Sequence, residues 1–241
     1  RLDSINLKDE LSILMRLPFD EDVEQEEQEY REATVYKLLA DYRKANHLHF
    51  SISQGFNQFE IHVQVPAGAP QLDTIRTLLL LLKKELNFPF RIGAGVSPSY
   101  ERSRYFAEHA LMEADRYGRN DAFFMDEEDK ITGPLSADNQ LMYNYSNEKA
   151  LAFARENGIN ETNILKLISI FEQDEEQLIS SHALSEKLGI TMRSASRILA
   201  KLYDLDMIRF RDTAPDTKTP RQGRPSHYYH FNSEAFREAL L

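Results

Sequence analysis

Two short helices joined by a tight turn are the feature that most constrains this sequence. Residues 182–188 have the composition and spacing of a helix, and Gly189 follows, where glycine can adopt the positive φ that ends many helices. Thr191 is expected to begin a second helix, because apolar residues recur after it at helical spacing. These apolar residues are Ala195, Ile198, Leu199 and Leu202. One face of the second helix is therefore expected to be buried, with polar residues on its other faces.

The polar residues of this second helix are suited to binding DNA. A helix, a short glycine-containing turn and a second helix with outward polar groups form the helix-turn-helix pattern, in which the second helix enters the major groove. Base-edge contacts are predicted for Arg193, Ser194 and Arg197, and DNA-backbone contacts for Thr191, Ser196 and Lys201. For each arginine, a solvated surface charge is the alternative interpretation.

A basic segment rich in proline and glycine follows the second helix. Residues 207–211 and 227–231 are predicted to be strands on either side of a wing of about fifteen residues. The wing contains Lys218, Arg221 and Arg224. A loop of this composition is extended and cannot bury itself, so we expect it to contact phosphates or the minor groove.

Two resemblances support a DNA-binding role for this part of the chain. Residues 222–225 (Gln-Gly-Arg-Pro) are similar to the core of AT-hook peptides, whose arginine enters a narrow A·T minor groove. Residues 160–231 resemble winged-helix domains, which implies that the helix beginning at Thr191 enters the major groove. One winged helix covers few base pairs, so we expect a homodimer on half-sites roughly 10 bp apart.

The charge distribution favours a DNA partner, although the total charge does not. The formal net charge of the chain is −10 at pH 7. Residues 181–229 contain nine Lys or Arg against five Asp or Glu, a net charge of +4, so the rest of the chain carries −14. An acidic body with one basic module would repel DNA everywhere except at one face.

Composition argues against several other classes of protein. With 241 residues, 41% of them hydrophobic, the chain is long enough for two packed domains. The absence of cysteine excludes a disulfide scaffold and a thiolate metal site, which fits a cytoplasmic protein. The longest apolar run, residues 78–82, is too short to span a bilayer, and no signal peptide is visible, so no membrane partner is expected. Because the chain begins at Arg1 rather than Met, we expect it to be part of a longer protein.

The first part of the chain mixes predicted strands and helices. The predicted strands are residues 1–6, 49–54, 59–65, 90–96 and 121–126, and the predicted helices are residues 7–16, 21–45, 72–86 and 100–117. Pro18 is expected to end the first of these helices. The order of elements predicts an α+β fold of the ferredoxin-like, split-βαβ kind.

Three motifs in this first part resemble the palm domains of nucleotidyl cyclases, a group that includes the diguanylate-cyclase (GGDEF) domains and the related archaeal GTP cyclohydrolases. Residues 91–96 (Arg-Ile-Gly-Ala-Gly-Val) and the helix after them, which ends in Gly-Arg-Asn at 118–120, are similar to the family's small-residue strand and its following helix. Residues 55–59 lie where the family has Gly-Gly-Asp-Glu-Phe, and residues 3–8 look like its first strand. The resemblance covers about residues 1–135 and implies a nucleotidyl-cyclase palm fold.

Most of the family's metal-binding acids are missing from this sequence. A cyclase needs carboxylates to hold two divalent ions against the triphosphate, and among the family's ligand positions only Asp3 keeps its acid. Ile5 occupies the second position of the first strand, Asn57 and Gln58 replace the hairpin acids, and Phe56 replaces a glycine. Enzymatic activity, a metal ion and a cofactor are therefore not expected.

Two roles stay open for this degenerate cyclase-like domain. It could bind a nucleotide or another small-molecule effector, in a pocket between the hairpin and the helix that begins at Tyr100, or it could serve only as a dimerisation scaffold. The tentative ligand-binding residues are Asp3, Gly55, Asn57 and Gln58. His47, His49 and His62 lie on or near the hairpin strands, and we interpret them as ordinary polar strand positions rather than metal ligands.

These observations together predict a bacterial-type transcription regulator with two domains. A cyclase-like domain (residues 1–135) would sense a ligand or mediate dimerisation, and residues 136–160 would form a linker helix. A winged helix-turn-helix domain (residues 161–241) would bind double-stranded DNA. The alternatives are a divergent GTP-using cyclase or hydrolase with a DNA-binding appendage, and a winged helix that serves only as a protein-interaction module.

Overall fold

Helices and strands both contribute to the structure, which confirms the α+β class expected from the sequence. The computed structural model describes residues 8–18, 22–45, 49–68, 71–137, 140–174, 176, 178–211 and 227–241. These residues belong to two units, Arg1–Gln140 and Leu141–Leu241. The division falls within the segment 136–160 that was predicted as a linker helix, and most of that segment belongs to the second unit.

The first unit is built on a mixed sheet with helices packed on both faces. Its elements in chain order are β1 (Lys8–Arg16), α1 (Gln25–Ala45), β2 (Ser51–Gly55), β3 (Gln58–Pro66), α2 (Gln71–Glu85), β4 (Arg91–Ser97), α3 (Tyr100–Tyr117), β5 (Ala122–Met125) and β6 (Lys130–Gly133). The strand order within the unit is β2-β3-β1-β4-β5-β6. Strands β4 and β5 are parallel, and the other neighbouring pairs are antiparallel.

The two faces of this sheet are covered by different helices. Ile13 and Met15 of β1 pack with α1 and α2 in one large apolar core. On the opposite face, Leu14 packs against Ala107 and Leu111 of α3. Successive side chains of a strand point to opposite faces, so the central strand β1 is buried on both sides.

One prediction is wrong: residues 7–16 were expected to form a helix, but Lys8–Arg16 is strand β1. The burial of this strand on both faces explains the error. Residues 11–15 are all buried and form a continuous apolar run except for Ser12. A strand buried on both faces loses the alternation of a half-buried strand, and a short apolar run cannot be distinguished from a helix by spacing alone. The strand predicted over residues 1–6, and Asp3 within it, lie outside the described residues.

Most other predicted elements of the first unit are confirmed. Helix α3 has the predicted bounds: Ser99 caps its start, and Gly118 ends it with a φ of 72°. Strands β2 and β3 form the predicted hairpin, in which Gly55 pairs with Gln58. The predicted α1, α2, β4 and β5 differ from the observed elements only at their ends. Strand β6 was not predicted.

The second unit is mostly helical. Its elements in chain order are β7 (Leu141–Asn144), α4 (Glu148–Glu156), α5 (Glu161–Gln173), α6 (Ser181–Leu188), α7 (Met192–Asp204), β8 (Ile208–Arg211), β9 (Tyr228–Phe231) and α8 (Ser233–Leu240). Phe171 of α5 packs against Phe231 and Phe236, with ring centroids 5.2 and 4.6 Å away. Helix α8 was not predicted, and it contributes Phe236 to the core of this unit.

Two glycines of β4 allow this strand to lie in close contact with α3. A Cβ atom on Gly93 would overlap backbone atoms of Ala107 and Leu111. A Cβ atom on Gly95 would overlap backbone atoms of Ser103 and Ala107. The helix therefore approaches the strand more closely than any side chain at these two positions would permit.

The substitution Gly93→Ala is expected to destabilise the first unit by about 1–3 kcal/mol, because the backbone of α3 must shift to admit the methyl group. Gly55→Ala is the matched control, since the atom nearest to its Cβ would be Gln58 O at 4.0 Å, and no loss is expected. Urea unfolding followed by circular dichroism measures both free energies of unfolding. Equal unfolding midpoints for the two variants would contradict this packing.

Candidate functional site

Helices α6 and α7 are joined by a short turn whose two ends are fixed by capping interactions. Ser180 Oγ accepts a hydrogen bond from Ala183 N at 3.2 Å at the start of α6, and Gly189 ends this helix with a φ of 69°. Thr191 Oγ1 accepts a hydrogen bond from Ser194 N at 3.2 Å and caps α7. These caps give partners to backbone groups that have none inside the helices. They also confirm the helix ends expected from the sequence.

The two faces of α7 differ in the predicted way. All four apolar residues predicted to be inside are buried: Ala195, Ile198, Leu199 and Leu202. Arg193 and Arg197 are exposed and lie four positions apart, so they share one face of the helix. No ion pair joins either guanidinium group to another residue in the described ranges. Within the described part of the chain, helix α7 therefore presents two cations without an ion-pair partner, on a surface opposite to its packed face.

The hydroxyl groups that were predicted to contact DNA already have partners within the protein. Thr191 Oγ1 lies 3.0 Å from Ser194 Oγ, in addition to its bond with the backbone N of the same serine. Ser196 Oγ lies 3.0 Å from Ser181 Oγ of α6. These bonds hold α7 to its own first turn and to α6. A hydroxyl has one donor and two acceptor positions, so each retains capacity for a further hydrogen bond.

Lys201 also has partners within the second unit. Its Nζ donates to Asn157 O at 2.9 Å and to Gly158 O at 2.7 Å. These carbonyl groups lie at the C-terminal end of α4, where carbonyls lack intrahelical partners and a cation is stabilising. Lys201 therefore links α7 to the end of α4, and we do not retain it among the residues proposed to contact DNA.

Strands β8 and β9 form a two-stranded antiparallel sheet after α7. Ile179 extends it, because its N donates to Tyr229 O at 2.8 Å and its O accepts from Tyr229 N at 2.9 Å. Arg209 and Arg211 of β8 are exposed. They share one face of the strand. The sequence analysis counted both in the net charge of residues 181–229 but did not predict a DNA contact for either. The predicted wing residues Lys218, Arg221 and Arg224 lie outside the described residues.

In the first unit, the polar residues of the hairpin turn hold the hairpin in place. Asn57 is buried with a φ of 54°, and its Oδ1 accepts a hydrogen bond from Gln28 of α1. Its backbone N donates to Glu32 Oε1 at 3.1 Å. Gln58 Oε1 accepts from Arg16 Nη2 at 3.1 Å. The amide groups that were tentatively assigned to a ligand are thus bonded to α1 and β1.

A pocket of about 360 Å³ lies between the hairpin strands and the start of α3. Its lining residues are Ser51 and Ser53 of β2, Glu60 and His62 of β3, and Tyr100 of α3. Because Ser51 pairs with His62 and Ser53 pairs with Glu60, the four strand residues share one face of the hairpin. The sequence placed a possible pocket in this region, but it assigned Gly55, Asn57 and Gln58, which do not line it.

Glu60 connects the pocket to α3 through two hydrogen bonds. Tyr100 OH donates to Glu60 Oε1 at 2.6 Å, and Arg104 Nε donates to Glu60 Oε2 at 3.2 Å. The hydrogen bond to Glu60 raises the pKa of Tyr100 above its ordinary value, because ionising the phenol would remove the donor of this bond. On the neighbouring strand, Glu10 Oε2 lies 2.9 Å from His62 Nε2. Tyr100, Glu60 and Arg104 are therefore joined by hydrogen bonds, and Glu10 and His62 form a separate close pair.

No protein-family model and no curated protein matches the chain, so its function has to be inferred from its own residues. Within the described ranges, no helix is long and apolar enough to cross a membrane. The same residues include no group of three or more His, Cys, Asp or Glu side chains that could hold a metal ion.

Replacing Lys201 with methionine keeps the alkyl chain and removes the ammonium group. We expect Lys201→Met to lower the free energy of unfolding by about 0.5–1 kcal/mol, because two carbonyl groups lose their donor. If the chain binds DNA as predicted from its sequence, the salt dependence of that binding is expected to stay unchanged, whereas a lost phosphate contact would reduce the slope of log K against log salt by about one unit. Lys149→Met, on the exposed surface of α4, is the control for stability. An unchanged stability together with a reduced slope would contradict a structural role for Lys201.

Proposed function

We propose that the chain is a DNA-binding transcription regulator whose second unit reads a specific DNA sequence. The observation that carries this proposal is the pair Arg193 and Arg197, exposed on one face of α7 while the opposite face is packed. Arginine is the side chain best suited to guanine, because its guanidinium group can form two hydrogen bonds to O6 and N7 in the major groove. Helix α7 is the second of two helices joined by a tight turn, and the second helix is the recognition helix in helix-turn-helix proteins.

The order of elements around α7 supports a winged helix-turn-helix arrangement. Helices α5, α6 and α7 are followed by the β8–β9 sheet, and Ile179 joins that sheet from the segment before α6. The connection between β8 and β9 is the basic segment that sequence reasoning assigned to the wing. Arg209 and Arg211 are exposed on β8, and Arg209 Nε also lies 3.5 Å from Asp206 Oδ1. In this proposal they attract phosphates, which contributes affinity without sequence specificity.

The first unit is proposed to regulate the second one, either by sensing a small-molecule effector or by holding two copies together. Its sheet has β1 between β4 and the β2–β3 hairpin, and the proposal of a cyclase-like palm rests on the three sequence motifs rather than on the element order, which has one helix fewer before the hairpin than expected. In this proposal it has no catalytic role, because the sequence lacks most of the metal-binding acids of that family. No arrangement of described residues favours the alternative of a GTP-using enzyme.

Arg197→Ala is expected to weaken binding to a specific DNA site by about 1–3 kcal/mol and to affect random DNA much less. The specific site would be identified by sequencing the fragments of the protein's own genome that the chain retains. Fluorescence anisotropy with both duplexes measures the two affinities.

The matched control for this substitution is Arg155→Ala. Arg155 is exposed on α4 and pairs with Glu161 at 2.7 Å, and such surface pairs contribute little to stability. Equal losses on specific and random DNA for Arg197→Ala would contradict base reading by this residue. An absence of any salt-dependent DNA binding by the unsubstituted chain would favour a protein-interaction role instead.

A homodimer bound to two half-sites is expected, because one such domain covers few base pairs. Light scattering after size exclusion should give the mass of two chains, alone or on DNA. Half-sites should lie about one helical turn apart, so adding about 5 bp between them should abolish cooperative binding by moving one half-site to the opposite side of the duplex. A monomer both free and on DNA would refute the dimer.

A further inference from the structure

Helix α1 has one packed face and one face turned to solvent. Val35 and Leu39 are buried in the core of the first unit. On the opposite side of the helix, Tyr30 is 65% exposed. This outer face is named the α1 stripe, and it consists of Glu26, Tyr30, Ala33, Lys37, Ala40 and Lys44. All of these residues are exposed except Ala40, which is half-buried.

The residues of the α1 stripe are separated by alternating steps of four and three positions. This is the spacing of the seam along which two helices pack in a coiled coil. Ala33 and Ala40 leave room at such a seam, so a facing helix can place a larger side chain against them. The stripe therefore has the spacing of a helix-packing surface, and its exposure leaves it open to a partner helix.

The charges of the α1 stripe are opposite at its two ends. Glu26 lies in the first turn of the helix and Lys44 in the last turn, and neither has an ion-pair partner among the described residues. A parallel pair of α1 helices would place each of these charges beside its own copy, whereas an antiparallel pair would place Glu26 beside Lys44 at both ends. Because like charges repel across an interface and opposite charges attract, the charges select the antiparallel orientation.

The α1 stripe also matches itself when its direction is reversed. Its positions form three couples, 26 with 44, 30 with 40 and 33 with 37, and each couple is centred on position 35. A twofold axis at that level would bring the members of every couple into contact twice. Tyr30 would then lie on the small side chain of Ala40. The alkyl chain of Lys37 would cover Ala33 while its ammonium group reaches solvent. One axis thus satisfies both charge and size along the whole stripe.

We propose that α1 pairs antiparallel with α1 of a second copy of the chain, around a twofold axis at the level of Val35. The inference rests on the homodimer proposed above and names the surface that forms it. A second copy is the partner that fits, because the complement of every stripe position is found in the same helix. Of the two roles proposed for the first unit, this surface supports the holding together of two copies.

Sedimentation equilibrium of the full chain without DNA measures the strength of this dimer. Lys44→Glu should weaken it at least about tenfold, because two attractive contacts with Glu26 become repulsive. Adding Glu26→Lys to this variant restores the attraction with the charges exchanged, so the double variant should dimerise nearly as well as the unsubstituted chain. Lys84→Glu is the matched control, since Lys84 is an exposed lysine in the last turn of α2 and lies outside the stripe. It should leave the dimer unchanged.

Disulfide cross-linking tests the orientation of the two helices, because the chain contains no cysteine of its own. An equimolar mixture of Glu26→Cys and Lys44→Cys should form a linked dimer on mild oxidation, since the proposed contact brings the two sulfur atoms together. Neither variant should cross-link alone, because positions 26 and 44 are about 27 Å apart along the helix. The two copies of either cysteine would be separated by the same distance. These variants reverse no charge, so they test the surface even if Lys44→Glu does not fold.

Three results would overturn the proposal. The first is a disulfide in each cysteine variant alone, which indicates a parallel pair. The second is a mixture that does not cross-link, and the third is a dimer that Lys44→Glu leaves unchanged, which is held by another surface. All three leave the homodimer of the proposed function standing. A chain that is monomeric both free and on DNA would instead refute that dimer and this surface together, while DNA binding by α7 is judged by its own measurements.

Discussion

The close packing of α3 on β4 is the constraint on which the first unit depends. With Gly93 and Gly95 at the contact, helix backbone lies directly against strand backbone, and no side chain separates them. This contact fixes the distance between α3 and the sheet. The hydrogen bond of 2.8 Å between Ser12 Oγ and Ser103 Oγ fixes the position of the helix along β1. The position of Tyr100 at the first turn of this helix, and hence the wall of the polar pocket, follows from the same packing.

The same packing explains why polar side chains are found on one face of the hairpin. Helices α1 and α2 cover the face of the sheet on which Phe59 and Ile61 are buried. Helix α3 packs on β1, β4 and β5 of the opposite face, so β2 and the adjoining part of β3 extend beyond it. Residues on this side, among them Ser53 and Glu60, need not be apolar. The asymmetry of coverage thus creates a polar surface beside a rigid helix.

Local signals in the sequence were sufficient to predict the helix ends around the turn at Gly189, but they were insufficient to predict which residues line the pocket. Gly189 and Thr191 specify helix ends by chemistry that acts within a few residues, and both predictions are confirmed. Strand β1 was wrongly predicted as a helix because its burial on both faces depends on helices distant in sequence. The pocket depends on the register between β2 and β3 and on where α3 begins, so its residues Ser51 and Glu60 carry no local signal. Motif resemblance directed attention instead to the hairpin turn, whose amides have structural partners.

The partners of each polar group on α7 also limit how the proposed DNA reading could work. Thr191, Ser194 and Ser196 bond to neighbouring groups of the same motif, and Lys201 bonds to the end of α4. A group already satisfied must break or share a bond to contact DNA, whereas an exposed guanidinium group loses only water. Discrimination between sequences should therefore depend mainly on Arg193 and Arg197, whose geometry favours guanine. A helix that reads DNA through two arginines specifies few bases, so the proposed DNA reading requires a second copy of the chain to define an operator.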